Sequence, residues 1–200
     1  MKSKKTNWEV LIIGGSSGVG KSHLARQLSG YFKVPLMEVD DIRIALQQCV
    51  DRESFQDLFT FIDNPNFQNE FDEQTFIQKL LDVGQALWKP LDTLISKHVI
   101  LGESIIIEGD SFVPELLAKR DLDKVKAIFI YDDLEAIKER HLKRNRLDSA
   151  AATLEKDALF SFAYGEEIRK QAEELGLITI KATPIETLYE RTIEIINSSH

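Results

Sequence analysis

Residues 15–22 read Gly-Ser-Ser-Gly-Val-Gly-Lys-Ser, and they constrain the fold more than any other stretch of the chain. The pattern is glycine, four free positions, then Gly-Lys-Ser. Glycines at these spacings let the backbone curl until several N–H groups point into one concavity, which suits phosphate oxygens. The concavity needs a frame: a buried strand feeding in, and a helix leaving whose first turn adds unpaired N–H groups and the positive end of its dipole. Both flanks are present, as an apolar run over 10–13 and a helical spacing of apolar residues over 21–31. A chance match would arise in about one chain of this length per hundred, and requiring both flanks makes it rarer still. Gly15, Ser16, Ser17, Gly18, Val19, Gly20, Lys21 and Ser22 are therefore expected to hold the phosphates of ATP. Lys21 would reach the β- and γ-phosphates, and the Ser22 hydroxyl would ligate Mg²⁺.

The rest of the chain repeats the frame. Short, almost continuously apolar runs at 9–13, 36–39, 104–108, 125–131 and 177–181 read as strands buried on both faces. Helical patterns at 21–31, 134–145, 155–175 and 185–197 lie between or after them, the alternation of an α/β fold with a parallel sheet. One stretch breaks the rhythm. Residues 42–102 contain no good strand, but Phe55, Leu58, Phe59 and Ile62, then Phe76, Leu80, Leu81 and Leu87, recur at helical spacing. They predict a helical insertion with a turn at Asp63-Asn64-Pro65-Asn66.

At 200 residues the chain fits one domain, 1–200. A net charge of −8 argues against a nucleic-acid partner, whose grip rests on basic patches. No apolar run approaches the roughly 20 residues of a membrane span. The single cysteine, Cys49, permits no internal disulfide, which suits a cytoplasmic address.

Carboxylates close two of the strands. Asp40, Asp41 and Arg43 follow the second strand, where ligands of open α/β sheets bind. Asp40 is expected to take the proton of an attacking hydroxyl and Arg43 to hold the acceptor; Asp41, or a helix-capping role for either aspartate, is the alternative. Glu108 closes the third strand in Ile-Ile-Ile-Glu-Gly-Asp, a pattern whose acid serves Mg²⁺ directly or through water, and Asp110 competes for that role. Arg140, His141, Lys143, Arg144 and Arg146 form a basic knot in an acidic chain. Residues 140–153 are expected to act as a lid, with Arg140, Arg144 and Arg146 over the phosphates and His141 at the surface. Thr183, after the fifth strand, either lies beside the nucleotide base or caps the last helix. Phe55, Phe59, Phe67, Phe71 and Phe76 read as core, and Trp88-Lys89-Pro90 as an acceptor contact.

Together these residues resemble the P-loop small-molecule kinases, the group of gluconate, shikimate and adenylate kinases, chloramphenicol phosphotransferase and zeta toxins. Within it, Gly14–Ser22, Asp40-Asp41-Ile42-Arg43 and the Glu108-Gly109 to Pro114 stretch are similar to 2-phosphoglycerate kinases. The resemblance implies a three-layer P-loop NTPase sandwich with a five-stranded parallel sheet in the order 2-3-1-4-5. It implies an ATP-dependent kinase with a small-molecule acceptor, in which Lys21, Asp40 and Arg144 are catalytic and Asp40, Arg43 and Glu108 meet the acceptor. An ATP-binding switch, a zeta-toxin-like kinase and a nucleotide kinase are the alternatives. The insertion is acidic around Asp51, Asp57, Asp63, Glu70, Asp72 and Glu73, which suits a neutral or cationic acceptor at least as well as an anionic one.

Overall fold

The computed structural model describes residues 6–120, 122–144 and 151–198. Five strands, β1 (Val10–Gly15), β2 (Leu36–Glu38), β3 (Ile105–Glu108), β4 (Val125–Tyr131) and β5 (Ile178–Lys181), form one parallel sheet in the order β2-β3-β1-β4-β5. The expected architecture and strand order are thus found. Alternate residues of each strand point to opposite faces, and each face finds its own core. Val10, Ile12, Ile105, Ile107 and Phe129 pack in one cluster, whereas Leu11, Ile13, Ile106, Ile128 and Ile130 pack in the other. Burying each such side chain contributes about 1.5–3 kcal/mol, so both helical layers are held by the middle strands.

The helices are α1 (Lys21–Phe32), α2 (Val39–Gln47), α3 (Thr60–Asp63), α4 (Phe67–Glu70), α5 (Glu73–Leu101), α6 (Pro114–Ala118), α7 (Leu134–Arg144), α8 (Ala151–Glu174) and α9 (Leu188–Ser198). Leu24 and Leu28 of α1 and Leu188 and Ile196 of α9 cover one face. Val83, Leu87, Leu91 and Ile95 of α5 and Tyr164 and Ile168 of α8 cover the other. Between β2 and β3 every described regular element is helical. Asp72 opens α5 as its cap, accepting from the Thr75 N–H, and Gly102 closes it in the left-handed conformation at φ 65°. Gly84 lets α5 approach the loop after β3: a Cβ there would stand 2.7 Å from the Ser111 carbonyl oxygen.

One expectation is corrected. Val39 opens α2 and does not extend β2, because the helix begins as soon as the edge strand loses its partner. Pro90 lies inside α5, and Trp88 packs against the core beside it; Lys89 and Pro90 line a hollow with Leu46, Val50, Phe55 and Leu58. Of the five phenylalanines, Phe59 and Phe76 are buried, Phe67 and Phe71 pack against the core and Phe55 stays exposed. No helix among the described residues is long and apolar enough to cross a membrane.

Candidate active site

The sheet register assembles the site. Ile13 pairs with Glu108 and Glu38 with Glu108, while Gly15 pairs with Ile130, so the carboxyl ends of four strands come level around the 15–22 loop. The loop fits there only because of its glycines. A Cβ on Gly15 would lie 2.1 Å from the Ile130 carbonyl oxygen, and its φ of +125° disfavours any other residue. Gly18 and Gly20 also take positive φ. Gly20 caps α1 without a side-chain hydrogen bond, and the first turn of α1 carries no acid. Its N–H groups and dipole are therefore offered to an anion with no internal competitor from the cap.

Lys21 is buried, with Nζ donating to the Ser16 carbonyl at 2.8 Å. It lines a cavity of about 90 Å³ with Ser17, Ser22, Glu38, Asp40, Glu108 and Asp110 among others. Glu108 is only 4% exposed. Burial raises its carboxyl above the usual glutamate range, while a hydrogen bond with Ser22 and the charge of Lys21 pull it back.

Asp40 occupies the first turn of α2, where Glu38 is the cap, so Asp40 is not the capping residue. Its carboxyl is raised first by desolvation against the cleft walls, then by the Asp110 charge; Arg43 and Lys21 oppose. The side chain is still 61% open to solvent, so screening keeps the effect small in energy. Arg43 donates from Nη2 to Asp40 Oδ1 at 2.8 Å, and its buried Nε has no hydrogen-bond partner. Asp41 points away from the cavity, lining a different surface hollow with Met37, Ile42 and Ala45.

The oxygen donors Ser22, Glu108 and Asp110 suit Mg²⁺, a hard cation. Among the described residues no group of three His, Cys, Asp or Glu side chains could cage a metal alone.

On the opposite side of the loop stands Arg140. Its Nη1 donates to the Gly18 carbonyl at 3.2 Å, and its Nη2 pairs with the fully buried Asp132. Thr183 Oγ1 donates to the same Asp132 oxygen at 2.8 Å, and Pro184, not Thr183, caps the turn leading to α9. His141 is not a free surface residue: its ring packs over Gly18, where a Cβ would meet it at 2.6 Å. Arg144 ends α7. Arg146 and the rest of 145–150, the middle of the expected lid, lie outside the described residues.

Sequence reasoning missed Asp132 and Tyr164. Asp132 follows β4 as Glu108 ends β3, so the same strand-end logic would have found it. Tyr164 is fully buried in α8 and donates to the Asp110 carbonyl at 2.7 Å, a contact with no local signal.

The fold and sequence comparisons agree with the resemblance to P-loop small-molecule kinases. No protein-family model matches the chain. It is 28% identical over 146 residues to a 2-phosphoglycerate kinase of Methanocaldococcus jannaschii, covering 70% of this chain and 47% of that protein. It is 24% identical over 143 residues to a mevalonate-3-phosphate 5-kinase of Thermoplasma acidophilum, covering 71% and 68%. The chain thus spans about half the length of the 2-phosphoglycerate kinases it matches. A shikimate kinase structure from Bacteroides thetaiotaomicron superposes with a TM-score of 0.55 at 14% identity, covering 94% of this chain and 98% of that one. That likeness carries the fold.

Proposed function

We propose that the chain is an ATP-dependent kinase that transfers the γ-phosphate to a hydroxyl of a small molecule. The observation that carries this reading is the single cavity that brings Lys21 and Ser22 face to face with Asp40, Glu108 and Asp110. The 15–22 loop, Lys21 and the start of α1 bind the phosphates. Mg²⁺, held by Ser22 and Glu108, would neutralise charge on the β- and γ-oxygens. Asp40 accepts the proton of the acceptor hydroxyl as its oxygen bonds to the γ-phosphorus and the bond to the β–γ bridging oxygen breaks, releasing ADP. A carboxyl held above its usual range is a better base near neutrality than an ordinary aspartate. Arg43 positions Asp40 and offers its remaining N–H groups to the acceptor. Residues 42–102 form the acceptor-side insertion.

The acceptor is neutral or cationic. Glu38, Asp40, Glu108 and Asp110 line the cavity against Lys21, and Arg43 is already tied to Asp40. Within 42–102, five Lys or Arg face nine Asp or Glu.

Turnover of Mg·ATP by the wild type, Lys21→Ala and Ser22→Ala tests the phosphate-binding half. Both variants should keep the wild-type melting temperature and lose about 10²-fold or more of turnover, the scale of removing one preorganised electrostatic contact. Wild-type turnover in Lys21→Ala would dismiss the reading.

A further inference from the structure

Asp132 is an expensive residue where it stands. Its side chain has no solvent exposure, and a buried carboxylate is tolerated only when paired and hydrogen-bonded. Its partners come from separate segments: Arg140 from α7 and Thr183 from the loop after β5 meet on Oδ2, and the Asp133 N–H bonds Oδ1 at 3.0 Å. Arg140 continues to the Gly18 carbonyl, and Ile185 of the same β5 loop approaches Gly20, whose Cβ would meet it at 3.1 Å. The arrangement therefore joins α7, the β5 loop and the phosphate loop at one carboxylate.

Closing the β5 loop does not require this carboxylate. Arg191 already clamps that loop from α9, donating to the carbonyls of Lys181 at 2.7 Å, Ala182 at 2.9 Å and Pro184 at 3.0 Å. Lys181 adds an ion pair with Asp133 at 2.6 Å. What Asp132 adds is orientation: it turns the Thr183 hydroxyl inward and holds the Arg140 guanidinium against Gly18. It also neutralises Arg140, so the arginine expected to meet phosphate is here committed to a carboxylate.

The direction of the nucleotide follows from the kinase reading, on which this inference rests. Asp40 and Glu108 lie on the β2–β3 side, so the γ-phosphate points there and the nucleoside leaves toward β4 and β5. We propose that Asp132 is a positioning residue for the nucleoside: it sets Arg140 and Thr183 as the wall along which the ribose and base lie. The phosphates are held independently by the loop and α1.

Direct binding titrations with Mg·ATP and with Mg·tripolyphosphate, which lacks a nucleoside, separate the two contributions. They need no acceptor. Asp132→Asn keeps the shape but removes the charge that holds Arg140, and should weaken ATP binding about tenfold while tripolyphosphate binding stays within about twofold. Thr183→Val removes only one hydrogen bond and should weaken ATP about threefold, again sparing tripolyphosphate; it decides the matter if Asp132→Asn does not fold. Equal weakening of both ligands would make the network purely structural, and unchanged ATP binding would give it no part in recognition; either result overturns the proposal. A wild type that bound neither ligand would instead remove the kinase reading itself.

Discussion

Asp40 and Asp41 are neighbours in sequence but stand in different surroundings. Asp40 lines the cavity with Lys21 and is bonded to Arg43, whereas Asp41 lines a separate hollow. Asp40→Asn retains shape and most hydrogen bonding while removing the proton acceptor. It should leave ATP affinity unchanged within about twofold and lower transfer to the acceptor by about 10²–10⁴-fold. Asp41→Asn should change transfer by less than about threefold. Calorimetric ATP binding measured beside the transfer rate checks both variants. A crippled Asp41→Asn with an active Asp40→Asn would reverse the assignment. The sequence left the two aspartates open because either could have capped α2. The helix starts at Val39, one residue earlier than the strand pattern implies, so Glu38 is the cap and neither aspartate is; what separates them is the hollow each lines.

At the scale of elements, the cavity depends on how closely α5 lies against the loop that carries Asp110 and Ser111. Gly84 permits that approach, since a Cβ would stand 2.7 Å from both the Ser111 carbonyl oxygen and a Val113 methyl. Gly84→Ala must push backbone as well as side chain, and should cost about 1–3 kcal/mol. For a chain of this size that lowers Tm by several degrees. Gly30→Ala in α1 is the matched control: nothing lies within 4 Å of its added Cβ. It should raise stability by about 0.5–1 kcal/mol through helix propensity alone. Thermal melts of the two variants compare them directly, and a Gly84→Ala protein as stable as wild type would show that α5 is not held at this point. None of this was legible beforehand. A glycine at helical spacing in an apolar pattern carries no mark of what it approaches, because its contact comes from a strand end 27 residues further on.

For the whole molecule, the layers and strand order were legible because buried parallel strands write themselves as nearly unbroken apolar runs and the phosphate loop anchors the first of them. The edge strand was read one residue too long, since β2 is only partly buried and has weaker apolar marking. The 15–22 loop, set between a strand and a helix, was equally plain. Asp132 carried no such mark: it lies eight residues before Arg140 but 51 before Thr183, and the pairing of β4 with β5 is what brings Thr183 to it. The acceptor side rests on a charge balance spread over the cavity and the insertion. The measurement that tests the central claim most directly follows the label of γ-labelled ATP through a screen of hydroxyl-bearing small molecules. The account predicts label in an organic phosphate, formed from neutral or cationic acceptors in preference to phosphorylated acids. Label appearing only as inorganic phosphate, at a rate no acceptor changes, would contradict it.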